Sequence, residues 1–144
     1  MSALVDGYSS EYEPVRSFHN LGSSLNVVFT PDFKKVVVGL SKKKPVYKLP
    51  CGKIEAEDEN LAVYLSSEQN NNLTALKCAI RELLRETGIE EGQCEQHVQM
   101  KYVRQLRKDN LKLRQYHFRT VLKTEVVLNT DITEKDEMHP PEYW

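Results

Sequence analysis

Residues 81–89 read RELLRETGI, with glutamates at 82 and 86, arginines at 81 and 85, leucines at 83 and 84 and a glycine at 88. Upstream of and within it, Leu76, Ala79, Ile80, Leu83, Leu84 and Thr87 recur at intervals of three and four, the spacing of one helix face. The pattern predicts a helix from Leu73 or Thr74 to Thr87, capped at its start by Asn72 or Thr74 and closed by Gly88 in a left-handed conformation. Cys78, Arg81, Glu82, Arg85 and Glu86 then fall on the opposite face. Glu82 and Glu86 are one turn apart, so their carboxylates share a side and repel. Two readings stay open at this point. A solvated face with Arg81 and Arg85 as salt-bridge partners explains the pattern by itself. A hard divalent cation would also use it, because Mg²⁺ takes oxygen ligands and keeps several waters for substrate phosphates.

Working outward, LNVVFT (25–30), the turn signal PDF and KKVVVGL (34–40) make two β-rich runs joined as a hairpin would join them. A basic loop, SKKKP, leads to a short extended run, PVYKLP (45–50), and then to CGKIE, where Gly52 allows close approach of backbone to another group. Residues 59–74 hold a short apolar core, LAVYL, and an amide-rich end, and are expected as a loop carrying one helical turn. After the helix, residues 98–128 form two or three strands, with KDN (108–110) as a hairpin turn and Tyr116, Phe118, Thr120 and Leu122 on one face. The order β-β-β-loop-α-β-β is that of a mixed α/β domain. Residues 1–20 are a polar, aromatic arm without sustained period.

A length of 144 residues, 40% hydrophobic and 28% charged, suits one domain with its own core spanning 1–144. A net charge of −1 with dispersed basic residues makes no global demand for nucleic acid or an anionic membrane. The start has neither a basic nor an apolar leader region, and no apolar run approaches the ~20 residues of a membrane span. The expectation is a protein that is not secreted and has no membrane partner, cytoplasmic or nuclear in location. Cys51, Cys78 and Cys94 lack CxxC spacing and are expected as free thiols.

CGKIEAED followed by AIRELLRETGI resembles the signature of the Nudix hydrolases. In that signature a glycine, five residues, a glutamate, seven residues and R-E-apolar-x-E-E-x-G-apolar form a loop-helix-loop that binds divalent cations. Gly52 matches the glycine, Asp58 stands at the first glutamate, and Arg81, Glu82, Leu83, Glu86, Gly88 and Ile89 match the second half in register. The strands leading to Leu49-Pro50 are also similar, and the likeness covers residues 25–90 well. The resemblance implies an α/β/α sandwich around a mixed β-sheet. It further implies Mg²⁺ or Mn²⁺ held by Gly52, Glu82 and Glu86, and hydrolysis of a pyrophosphate bond in a nucleoside diphosphate linked to another moiety. The family's C-terminal helix is expected to be missing, because the sequence stops at PPEYW where that helix would follow. A shortened chain, the N-terminal arm or a second copy in a homodimer would account for the uncovered face.

Three departures qualify the match. Twenty-two residues separate Asp58 from Arg81 where the pattern has seven, an insertion of fifteen. Asp58 is one methylene shorter than glutamate and, with Arg81, is expected in a structural role. Arg85 replaces the first glutamate of the E-E pair. At an effective dielectric of ~20, unit charges ~4 Å apart interact by about 4 kcal/mol, so a cation at position 85 disfavours a second metal. Arg85 either contacts a substrate phosphate, as a planar donor fork suits, or replaces a metal, or pairs with Glu82 and blocks the site. The last option implies a degenerate domain that binds nucleotide or RNA without hydrolysis.

The resemblance places Glu82 and Glu86 at the reaction centre, with Glu134 and Glu137 as candidates for the general base; a merely solvated acidic loop explains that pair equally. Lys44 in the three-lysine turn, Lys53 and Arg119 are candidate substrate contacts. Arg114 and His117 on the same strand, and Tyr47 and Tyr102 as base-stacking rings, are weaker ones, since an ordinary strand position for His117 and core packing for the two tyrosines are the preferred readings. Partners are expected to be a nucleotide-type small molecule, with an RNA end as an option.

Overall fold

The alternation in GSSLNVVF builds the centre of the molecule: Gly22, Ser24, Asn26 and Val28 are buried and the residues between them half-buried, as the two faces of a strand require. The computed structural model describes residues 22–40, 46–108, 111–128 and 140–144. In chain order these form β1 (Gly22–Phe29), β2 (Val37–Leu40), β3 (Tyr47–Lys48), β4 (Cys51–Lys53), α1 (Ser67–Thr87), β5 (Cys94–Lys108), β6 (Leu111–Leu122) and β7 (Glu142–Tyr143). A mixed four-stranded sheet runs β4-β1-β6-β5, with β1 parallel to β6 and antiparallel to β4, and β5 antiparallel to β6. A second, antiparallel sheet runs β3-β2-β7.

The expected hairpin between residues 25–30 and 34–40 survives only as one bridge, Phe29 to Val36. One edge of β1 carries β6 along its full length, and the other is taken by β4 at Ser23–Leu25. After the turn at Thr30–Lys35 and the Phe29–Val36 bridge, β2 leaves β1 and pairs with β3 and β7 in the second sheet. Asp32 holds that turn by accepting from the Thr30 hydroxyl at 2.7 Å and the Lys34 N–H at 3.0 Å. The β5–β6 hairpin is present; its turn at 109–110 lies outside the described residues.

Helix α1 begins at Ser67, six or more residues before the expected start. Ser66 and Gln69 cap it reciprocally, at 3.1 Å to the Gln69 N–H and 2.9 Å from the Ser66 N–H. Its C-terminus is as expected: Gly88 has φ 81° and donates to the Leu84 carbonyl at 2.8 Å. The buried stripe, however, is rotated relative to the apolar spacing. Asn70, Thr74, Ala75, Cys78, Ala79, Glu82, Leu83 and Thr87 are buried, whereas Leu84 is 47% exposed. The sheet face beneath explains this, because its bulky Tyr116 and Phe118, with Ile54, take up the space and receive the small side chains of Ala75, Cys78 and Ala79. The Ser24 hydroxyl donates to the Ala75 carbonyl at 2.6 Å.

Tyr116, Phe118, Thr120 and Leu122 share the face under α1, all buried. Ile54, Ala75, Cys78, Ala79, Tyr116 and Phe118 form one apolar cluster between helix and sheet. Val28, Val37, Leu83, Ile89, Cys94, Leu122 and Leu128 form another, which ties the C-terminal half of α1 to β2 of the second sheet. The buried polar groups are chained rather than scattered. The Thr120 hydroxyl donates to Asn26 Oδ1 at 2.8 Å, so it must accept from His97 Nδ1 at 2.9 Å.

Candidate functional site

Strand β4 and the third to fifth turns of α1 meet at Gly52. A Cβ on that residue would overlap the carboxylate of Glu82, so only glycine lets the strand end lie against the helix there. Glu82 is 3% exposed, where the sequence reading had it on the outward face. Its burial is compensated by charge: Arg81 Nη1 lies 2.8 Å and Arg85 Nη1 3.5 Å from the same oxygen, Oε2. Glu86, one turn on and half-buried, accepts from the Cys51 N–H at 3.2 Å. Both carboxylates of the predicted pair therefore face β4.

Arg81 ties the loop together through every nitrogen of its guanidinium. Nε and Nη2 take the two oxygens of Asp58 at 2.8 and 2.9 Å, Nη2 also reaches the Lys53 carbonyl at 3.0 Å, and Nη1 reaches Glu82. The hydrogen bonds that Arg81 donates to Asp58 are the main reason that the Arg81 proton is held even more firmly than usual. Asp58 is 2% exposed and caps its own 3₁₀ turn, Ala56–Asp58, by accepting from the Glu55 N–H at 2.8 Å. That turn carries the carboxylate to Arg81 despite the missing methylene. Cys78 lies under the same loop, its sulfur 3.5 Å from the Gly52 carbonyl and 3.4 Å from that of Lys53. Burial pushes its thiol up to about 12, which keeps it a neutral donor.

Residues 59–66 loop out and are pinned back by Asn70. Its Oδ1 accepts from Asn60 Nδ2 at 2.8 Å and the Ala62 N–H at 2.9 Å, and its Nδ2 donates to the Ala62 carbonyl at 3.0 Å. The insertion is thus split between this loop and added helical turns, and the Gly52–Glu82–Glu86 junction is undisturbed.

Of the other expected site residues, Lys53 adjoins Gly52 with its side chain exposed. His117 and Arg119 fall out of step with Tyr116 and Phe118, on the sheet face turned from α1, with His117 Nε2 3.0 Å from Gln115 Oε1. Arg114 is exposed and in step with Tyr116. Tyr47 stacks on Trp144, ring centroids 4.8 Å apart, rather than entering the core. Lys44, Glu134, Glu137 and the side chain of Tyr102 lie outside the described residues. Cys51, Cys78 and Cys94 form no disulfide with one another, in line with the expectation of reduced thiols. No helix among the described residues is long and apolar enough to cross a membrane.

A similar fold recurs in solved structures. The E. coli dihydroneopterin triphosphate pyrophosphohydrolase superposes with a TM-score of 0.58 at 16% identity, over 84% of this chain and 77% of that one. The NUDIX domain of Shewanella oneidensis NrtR complexed with ADP ribose gives 0.55 at 14% identity, over 96% and 78%. A C. elegans Ap4A hydrolase binary complex gives 0.54 at 10% identity, over 84% and 77%. The chain has the Nudix fold. No protein-family model matches the sequence, and no curated protein matches it at a significant level.

Within this Nudix fold the donor set can be tested against a divalent cation. Among the described residues no three carboxylate, imidazole or thiol side chains converge as a ready cage. The junction brings together the Glu86 carboxylate, which accepts from the Cys51 N–H, and the Glu82 carboxylate, which lies against Gly52 and is paired with Arg81 and Arg85. One Mg²⁺ or Mn²⁺ held at Glu86 would keep several waters and take the rest of its ligands from a phosphate.

Proposed function

We propose that this chain hydrolyses a pyrophosphate bond in a nucleoside diphosphate linked to another moiety, with water attacking phosphorus. The observation that carries the proposal is the junction itself: Gly52 abuts Glu82, and Glu86 lies one helical turn further on against the N–H of Cys51. Glu86 and the Gly52 carbonyl would hold Mg²⁺ or Mn²⁺, which supplies charge neutralisation and a more acidic bound water. The chain's own part is positional. Arg81 and Asp58 fix the strand end against α1, and Lys53 offers a cation beside it for phosphate oxygens. Glu134 and Glu137 remain the proposed bases. The nucleotide class of substrate is supported by two proteins of this fold, one complexed with ADP ribose and one named an Ap4A hydrolase.

Glu86→Gln tests the assignment, because it removes a charge at constant shape. The expected result is a loss of ~10²-fold or more in kcat with an unchanged circular dichroism spectrum. Activity within a few-fold of wild type would remove Glu86 from the site. The Arg85–Glu82 contact of 3.5 Å favours a second reading, a domain that binds nucleotide without turning it over. That reading expects saturable binding and no metal-dependent product.

A further inference from the structure

Helical spacing brings Arg85 back onto Glu82, three residues earlier, with Nη1 3.5 Å from Oε2. Arg81 already donates to that oxygen at 2.8 Å. The Glu82 side chain is 4% exposed and closed on its other flank by Gly52, so a hydrated divalent ion has little room to approach it. Arg85 is the more open partner, its side chain 35% exposed. Two guanidinium groups on one buried carboxylate oxygen do what a metal would do there: they compensate the charge, and they do it without any ligand from solution.

We infer that Arg85 is a tethered counter-cation, its guanidinium holding the place beside Glu82 that a divalent ion would otherwise take. The loop is therefore assembled without metal at Glu82, and a divalent ion is left with Glu86 and the Gly52 carbonyl alone. This rests on the cation-assisted reading of the site only in treating the carboxylate pair as competent for Mn²⁺; its own content is the difference that residue 85 makes. Reversing the charge at 85 should open a cation position that wild type lacks.

Bound Mn²⁺ is counted by the electron paramagnetic resonance of the free ion, with wild type, Arg85→Gln and Arg85→Glu side by side, and thermal melts are run in EDTA and in Mn²⁺. The expected result is one more Mn²⁺ per chain in Arg85→Glu than in wild type, and at least ~10-fold tighter Mn²⁺ binding in Arg85→Gln, as loss of a nearby positive charge demands. Arg85→Glu should also melt lower than wild type in EDTA and recover with Mn²⁺, and folding only in the presence of Mn²⁺ would be the same dependence in stronger form. Equal Mn²⁺ counts, with affinities within threefold across the three proteins, would overturn the inference. The two claims fail separately: an increment in Mn²⁺ without any turnover sinks the hydrolase reading and leaves Arg85 as described, while metal-dependent turnover without the increment does the reverse.

Discussion

Gly52 and Glu82 are placed so closely that a single methyl group decides whether the strand end can lie on the helix. Gly52→Ala should therefore cost ~1–3 kcal/mol in chemical denaturation, as overpacking does, and remove activity even at temperatures where the variant is folded. Wild-type stability and activity in that variant would show that the contact is not constraining. Asp58→Ala should cost ~1–3 kcal/mol, because it removes two charge-assisted hydrogen bonds from Arg81 and the one that caps the Ala56–Asp58 turn, while Glu82 still compensates the guanidinium. A loss under ~1 kcal/mol would mean that water replaces Asp58. Helical spacing alone left a solvated face equally open, whereas the grouping of Gly52, Asp58, Arg81, Glu82 and Glu86 as one constellation was legible through the resemblance to the Nudix signature. The burial of Glu82 was not, since an apolar-stripe reading assigns charged residues outward and has no term for two arginines folding back onto the same oxygen.

Helix α1 shows where element boundaries escape a periodicity argument. Its first two turns, SEQNNNL, carry no apolar stripe, so the pattern starts late, although Ser66 and Gln69 form a legible capping box. Asn70 was unreadable as a structural residue because its partners, Asn60 and Ala62, come from a loop whose path the sequence does not specify. Asn70→Ala leaves an amide N–H and a carbonyl of the inserted loop without their partner and should destabilise by about 2 kcal/mol. Increased amide hydrogen exchange should then be confined to residues 59–70. Exchange unchanged there would mean that the loop is held by other contacts.

At the scale of the whole molecule, the mixed α/β class and the β5–β6 pair followed from alternation, while the division into two sheets did not. Edge occupancy on β1 is a property of non-local pairing, and the run 25–40 reads equally well as one hairpin. The long-range polar chain Asn26–Thr120–His97 is non-local in the same way, and it has a measurable consequence. His97 holds its proton on Nδ1, and its buried Nε2 has no hydrogen-bond partner among the described residues. Burial lowers its pKa below the ordinary 6.5, with Glu91 opposing in part. The folded state thus prefers neutral His97, and the unfolded state binds the extra proton first. This contribution to stability is present above pH ~6.5 and is lost as pH falls through the lowered folded pKa. Melting temperature should drop over that acid range in wild type and drop less in His97→Gln; parallel profiles would exclude His97 as the source. The central claim, cation-assisted hydrolysis at Gly52 and Glu86, is tested most directly by product release from a panel of dinucleoside polyphosphates, nucleotide sugars, dinucleotide cofactors, noncanonical triphosphates and capped RNA, each with Mg²⁺, Mn²⁺ or EDTA. Cleavage of at least one of them at a pyrophosphate bond, abolished by EDTA, is the predicted result; saturable nucleotide binding by folded protein with no product from any of them would contradict it.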